Sequence, residues 1–251
     1  KWHISKDPTT FGIDVNIAGF EAGNPAGWDM GGYFSPYNNP NLENGPEGEY
    51  LTDRLTDEAI EFLDSTGDEP FFLNYAPYIV HTPIQPKPAL EEYYEGKPGT
   101  PRHDNPGYAA MIETMDINIG RLIVYLEETG KIENTLIIFT SDNGGLHEIS
   151  RQWPLRAGKG SYFEGGIRIP MIAVWKGEIE PGSFSEEAVS QIDFFPTFLE
   201  VAGIDKPGDK ILDGISILPV FHGGNLPERS IFWHFPIYLQ AYSDNNPDTH
   251  D

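Results

Sequence analysis

Cysteine is absent from the 251 residues, which removes disulfide frameworks, thiolate nucleophiles and Cys-based zinc sites. Bases are scarce: 16 Lys and Arg stand against 39 Asp and Glu, a formal charge of −23. Such a field repels nucleic acid, so no nucleic-acid partner is expected, and an anionic substrate would need a local cationic pocket. No apolar run approaches the roughly 20 residues that a membrane span requires. There is no internal repeat and no convincing domain boundary. An initiator Met and a signal peptide are also missing. The chain opens on Lys1-Trp2-His3 and ends in "SDNNPDTHD", so it reads as a piece of something longer.

What is present argues for a globular body, with 39% hydrophobic and 13% aromatic residues. Gly 27 and Pro 22 imply many loops between short elements. Residues 4–49 are rich in Gly, Pro, Asn and aromatics with little periodicity, the pattern of a long structured loop. Leu51, Leu55, Ile60 and Leu63 lie near helical spacing, with Gly67 after the end. "PFFLNYAPYIV" predicts a buried strand running into a proline-rich loop at His81.

The clearest helix is "YAAMIETMDINIGRLIVYLEE". Tyr108, Met111, Ile112, Met115, Ile119, Leu122, Ile123 and Leu126 recur at i, i+3, i+4 and i+7, and Gly130 supplies the stop. A strand at 135–140 follows, then a Gly-rich loop and a second strand, "IPMIAVWKG". "SQIDFFPTFLEVAG" is the next helix, with Asp193 near its start and Pro196 in its first turn. Strand and helix alternating at short spacing predict an α/β layer structure with a largely parallel sheet. Ligands in such sheets collect beyond the carboxyl ends of strands, where His81 and Asp142–Asn143 both fall.

Asp142 and Asn143 offer hard oxygen donors suited to Ca²⁺ or Mg²⁺. An Asp-Asn-Gly sequence is also ordinary turn chemistry, and Ca²⁺ wants roughly six to eight oxygens, so these two cannot form a site alone. Lys159, between Gly158 and Gly160, is a candidate sulfate or phosphate clamp or else a solvated loop lysine. His81 is an acid, base or anion donor, or a histidine bonded to nearby backbone. Lys1 and His3 share one face of a short extended stretch and could hold an anion, or form a frayed terminus. His147 and His234 are weaker candidates, His234 as a residue lining a sugar pocket in "IFWHFPIY". Asp213-Gly214 reads as a turn, and His103, His222 and His250 have no supporting context.

In combination these segments resemble the type I sulfatases of the alkaline-phosphatase-like superfamily. "KWHI", "PFFLNYAPYIVHTPIQ", "GYAAMIETMDINIGRLIVYLEETGKIENTLIIFTSDNGG", "GKGSYFEGGIRIPMIAVWKG" and "SQIDFFPTFLEVAGI" stand in that family's order, from residue 1 to about 238. The resemblance implies an alkaline-phosphatase-like sandwich whose largely parallel central sheet is flanked by helices. Residues 1–251 would form a partial catalytic domain, truncated at its N-terminus and in a C-terminal subdomain beginning after about 205.

It also implies roles. Asp142 and Asn143 would bind Ca²⁺ (Mg²⁺ is the alternative), and Lys1 and Lys159 would bind sulfate oxygens. His3 would hold the nucleophile, and His81 or Lys159 would assist the leaving alkoxide; His147 and His234 would be substrate-binding. The family's nucleophile is a formylglycine made from Cys or Ser in a Cys/Ser-x-Pro-x-Arg segment. This chain has none, nor the early pair of aspartates that completes the metal site. Both are expected upstream, so the fragment itself is expected to be inactive. The expected activity of the complete protein is sulfuric ester hydrolysis on a sulfated carbohydrate, in a secreted or periplasmic setting. The loop "GFEAGNPAGWDMGGYFSPYNNPNL" and "FWHFPIY" resemble carbohydrate-acting bacterial members. The alternatives are a phosphodiesterase or phosphonate hydrolase of the same superfamily, and a non-catalytic carbohydrate- or cation-binding protein.

Overall fold

Thr52, Thr56, Ala59 and Leu63 recur at helical spacing, and the computed structural model winds them into the buried face of α1 (Leu51–Ser65). The structure describes residues 1–100 and 103–234. The chain forms two compact units, Lys1–Thr129 and Gly130–Asp251. The part of "IFWHFPIY" after His234, and His250, lie outside the described residues.

In the first unit α1 and α2 (Pro88–Glu95) both pack on α3 (Pro106–Glu128). The start of α3 is set by Asn105, whose side chain accepts the amide of Tyr108 at 2.9 Å, and Gly130 follows its end at φ 73°. Its buried stripe is Gly107, Ala110, Met111, Thr114, Asn118, Leu122 and Leu126, while Ile112 is 41% exposed. Apolar spacing alone could not place Thr114 and Asn118 inside. They are admitted because their polar atoms are satisfied: Asn118 donates to Asp53 at 2.8 Å and to the Thr114 carbonyl at 2.9 Å, and accepts from Arg121.

The core of this unit is built largely on tyrosines, with Tyr33, Tyr37, Tyr50 and Tyr78 packed around Leu51, Ile79 and Met111. Each hydroxyl donates to a backbone carbonyl: Tyr33 to His81, Tyr37 to Glu49, Tyr50 to Gln85 and Tyr78 to Ala22. Burial pushes the Tyr78 hydroxyl up to about 12 and raises the other three further. These rings therefore stay neutral donors; Tyr33, Tyr50 and Tyr78 tie the long loop up to residue 50 to the segment 77–85, and Tyr37 closes the loop on itself. That segment is preceded by an extended run whose exposure alternates, with Phe72, Asn74 and Ala76 facing outward. The expected buried strand is thus not formed: the run is half-buried and pairs in no ladder among the described residues.

In the second unit β1 (Ile137–Thr140) pairs with β2 (Met171–Val174), with Ile137 opposite Val174 and Thr140 opposite Met171. This pair is antiparallel, where strand–helix alternation had suggested parallel neighbours. Residues 141–170 explain the difference: they hold loop and the single turn α4 (Glu164–Ile167), with no crossover helix to carry the chain back. Instead the loop closes on itself, and the Thr140 hydroxyl donates to the Pro170 carbonyl at 3.0 Å.

Helix α5 (Phe194–Val201) is entered through Asp193, whose role is larger than that of a helix start. Its carboxylate is fully buried and accepts two hydrogen bonds from Arg229, each 2.6 Å. The amides of Ser190 and Ile215 donate to it at 2.8 and 3.0 Å. Burial alone would raise this carboxyl, but the Arg229 and backbone donors outweigh it and hold it below its ordinary 3.8. A carboxyl so lowered stabilises the fold above its ordinary value and loses that contribution as pH falls below about 4. Arg229→Ala should therefore cost about 3 kcal/mol in urea unfolding at neutral pH. The gap from the parent should shrink as pH drops from about 4 toward 2. A gap that stays constant with pH would rule out the ion pair as its source.

Candidate functional site

The turn after β1 owes its shape to close backbone contact. A Cβ on Gly144 would lie 1.8 Å from the Gly165 carbonyl oxygen, and one on Gly166 would lie 2.4 Å from that of Ser161. Only hydrogen side chains permit these approaches. They let Gly144 donate to Gly166 at 2.9 Å and Gly165 donate to Arg156 at 2.9 Å. Ala157, buried at φ 60°, bends the chain so that the Lys159 amide reaches the Gly145 carbonyl at 2.9 Å.

Asp142, Asn143 and Lys159, remote from one another in sequence, are thereby carried on two loops laced together. Asp142 is exposed and Asn143 half-buried. The Asn143 side-chain amide donates to the Gly144 carbonyl at 2.9 Å, which orients the group and leaves Oδ1 as its acceptor. Ser141 Oγ donates to the Asn143 carbonyl at 2.8 Å, and Gln191 Nε2 to the Ser141 carbonyl at 2.8 Å. Gln191 is a residue the sequence reading missed; nothing in "SQIDFF" marks it as the brace of a turn 50 residues earlier. Turn and ligand readings of Asp142–Asn143 are compatible, since the turn's hydrogen bonds use the Asn143 side-chain amide and not its Oδ1.

The donor set fits a hard cation in kind and only in part in number. Two oxygens fall short of the roughly six that Ca²⁺ takes, and no cluster of three or more His, Asp or Glu suited to a metal exists among the described residues. His147 is buried at 4% exposure in the same loop system, its Cβ against Gly158. His234 is exposed. His222 pairs with Glu178 at 3.3 Å.

Lys1, His3 and His81 belong to the first unit. His3 has φ 59°, so the extended geometry that would set Lys1 and His3 on one face is broken there. Its position comes instead from loop contacts: the His3 amide donates to the Phe20 carbonyl at 3.0 Å, and the imidazole lies on Gly23. A Cβ on Gly23 would fall 2.7 Å from His3 Cε1. The Lys1 backbone nitrogen donates to the Ala76 carbonyl, on the run that leads to His81. His81 is fixed through its backbone, donating to Tyr78 and accepting from the Tyr33 hydroxyl, each at 2.8 Å. Its Nδ1 lies 2.8 Å from the Thr82 carbonyl. A carbonyl only accepts, so Nδ1 carries hydrogen and Nε2 is the acceptor of the neutral ring.

Gly144→Ala should destabilise the second unit by roughly 3 kcal/mol or more, because backbone on both sides must move. Gly130→Ala, with no atom within 4 Å of the added carbon, should cost only the strain of its φ of 73°. Thermal unfolding of the two variants checks this; equal losses would mean that close contact is not what limits residue 144.

Residues 14–204 match the sulfatase family profile. A sulfatase of Formosa agariphila is 38% identical over 221 residues, which cover 81% of this chain and 40% of that protein. N-acetylgalactosamine-6-sulfatase of Canis lupus familiaris is 32% identical, over 82% of this chain and 39% of its own length. Among solved structures, Ps i-CgsB in complex with k-i-k-neocarrahexaose superposes with a TM-score of 0.65 at 35% identity, covering 73% of this chain and 41% of that one. The chain spans less than half the length of these relatives. With its motifs in order and its fold alkaline-phosphatase-like, the chain belongs to the sulfatase family.

Proposed function

We propose that the complete protein containing this chain hydrolyses sulfate esters of a carbohydrate. The observation that carries the reading is the glycine-laced pair of loops that holds Asp142 and Asn143 beside the segment bearing Lys159. Carbohydrate is favoured because the relatives include a named hexosamine sulfatase and a structure bound to a carrageenan oligosaccharide. A secreted or periplasmic setting suits such a substrate.

The Asp142 carboxylate and Asn143 Oδ1 would hold Ca²⁺, or Mg²⁺, with further oxygens from outside this chain. Such a cation would supply Lewis-acid polarisation of the ester, and a formylglycine outside these residues would supply the nucleophile. Lys1 and Lys159 bind sulfate oxygens and offset the charge that builds on them as the S–O bond breaks. His3, seated on Gly23, orients the nucleophile. His81, once protonated at Nε2, delivers that proton to the leaving alkoxide. His147 supports the loop from within rather than meeting substrate, in keeping with its burial.

The complete protein should turn over an aryl sulfate faster than an aryl phosphate diester, and Lys159→Ala should lower kcat/KM for the sulfate by roughly 100-fold. Dominant phosphodiester turnover would assign the protein to the phosphodiesterase side of the superfamily. Binding of Ca²⁺ and sulfated sugar without turnover of either ester would leave the non-catalytic reading. In the same protein, Gly23→Ala should lower kcat about tenfold with little change in Tm, since the added carbon displaces only an imidazole. Unaltered kcat would remove His3 from the catalytic set.

A further inference from the structure

Trp28 is 68% exposed although it is the largest apolar side chain in its loop. Its backbone is equally unusual. Trp28 and Asp29 have φ of 59° and 65°, consecutive non-glycine residues in the left-handed region. Such conformations cost on the order of 1–3 kcal/mol each and persist where the surroundings enforce them, which is often where function needs them.

The surroundings here are well built. Pro25 is fully buried, and Ala22 and Met30 are exposed by 0% and 7%. The tip is closed by hydrogen bonds from Ala26 to Asn24 Oδ1 at 2.9 Å, from Met30 to Gly27 at 3.2 Å and from Gly32 to Pro25 at 2.9 Å. On this base the Trp28 ring meets Phe20 edge to face, centroids 6.3 Å apart at 75°. The contact leaves the indole presented outward. Phe20 in turn accepts the His3 amide, and Gly23 of the same loop underlies the His3 imidazole. The exposed ring is therefore held by the loop that seats His3.

A rigid exposed indole matches the apolar face of a pyranose, whose axial C–H groups meet the negative face of the ring; pre-organisation spares the cost of ordering it. We propose that Trp28 is a sugar-stacking platform that gives this protein its preference for sulfated carbohydrate over simple sulfate esters. The assignment rests on the sulfatase reading of His3. A sulfate held at the catalytic residues leaves the ring of the same or the adjacent sugar to pack on Trp28.

The experiment compares the complete protein with Trp28→Gly and Trp28→Phe. The probes are 4-nitrophenyl sulfate, a carrageenan hexasaccharide and N-acetylgalactosamine 6-sulfate. Trp28→Gly should raise KM and calorimetric Kd for at least one of the sugars about tenfold. It should leave 4-nitrophenyl sulfate kinetics within about twofold, and Tm unchanged or higher, because glycine accepts the left-handed backbone. Trp28→Phe should keep most of the sugar affinity. Equal loss on the aryl and sugar substrates, a lowered Tm, or sugar binding no tighter in the parent than in Trp28→Gly would each overturn the platform. If the parent hydrolyses none of the esters, the sulfatase reading fails by itself, and the calorimetric comparison still decides whether Trp28 binds sugar.

Discussion

The contact of Gly144 with the carbonyl of Gly165 is the constraint on which the candidate site depends. It involves no side chain, and its whole content is that two stretches of backbone occupy space a methyl group would need. Because they do, the end of β1 and the loop bearing Lys159 become one body, and an acidic turn acquires a cationic neighbour. In a chain of formal charge −23 that pairing matters more than it would elsewhere. The general field repels anions, so any anionic ligand would have to be held by a few bases brought close by geometry.

The other unit reaches precision by different means. Its tyrosines act as struts with a polar end, each ring in the core and each hydroxyl on a backbone carbonyl, three of them bridging the loop and the segment 77–85. A loop of some length can then be well ordered without strands or a long helix of its own. His81 profits directly, since the Tyr78 carbonyl holds its amide and the Tyr33 hydroxyl holds its carbonyl, fixing the peptides on both sides of its Cα. The imidazole needs little packing of its own to be aimed.

The sequence showed different parts of this with different clarity. Helices α1 and α3 were plain because apolar periodicity is written locally, and Gly130 marked its own boundary. Asp142, Asn143 and Lys159 could be picked out as candidates from residue type and family order, whereas the glycine contacts that bring their loops together could not. The direction of β2 was not, because strand alternation carries no information about where the chain returns. Asn118 and Thr114 were hidden for a related reason: a polar residue reads as surface until its partners are known. Gln191 and Asp193 were obscured by distance, their partners lying at Ser141 and Arg229. Gly23 looked like loop composition, and only the ring lying on it shows why a side chain is missing.

The Asp193–Arg229 pair also bears on where this part of the molecule ends. The family match stops at residue 204, but the carboxylate at the entrance to α5 is neutralised by a base 36 positions along the chain. A chain cut at residue 204 would leave a buried anion with no counter-charge. Whatever else the stretch from 205 to 229 does, it must return one guanidinium to the entrance of α5. The segment that folds together is therefore longer than the segment the family profile matches.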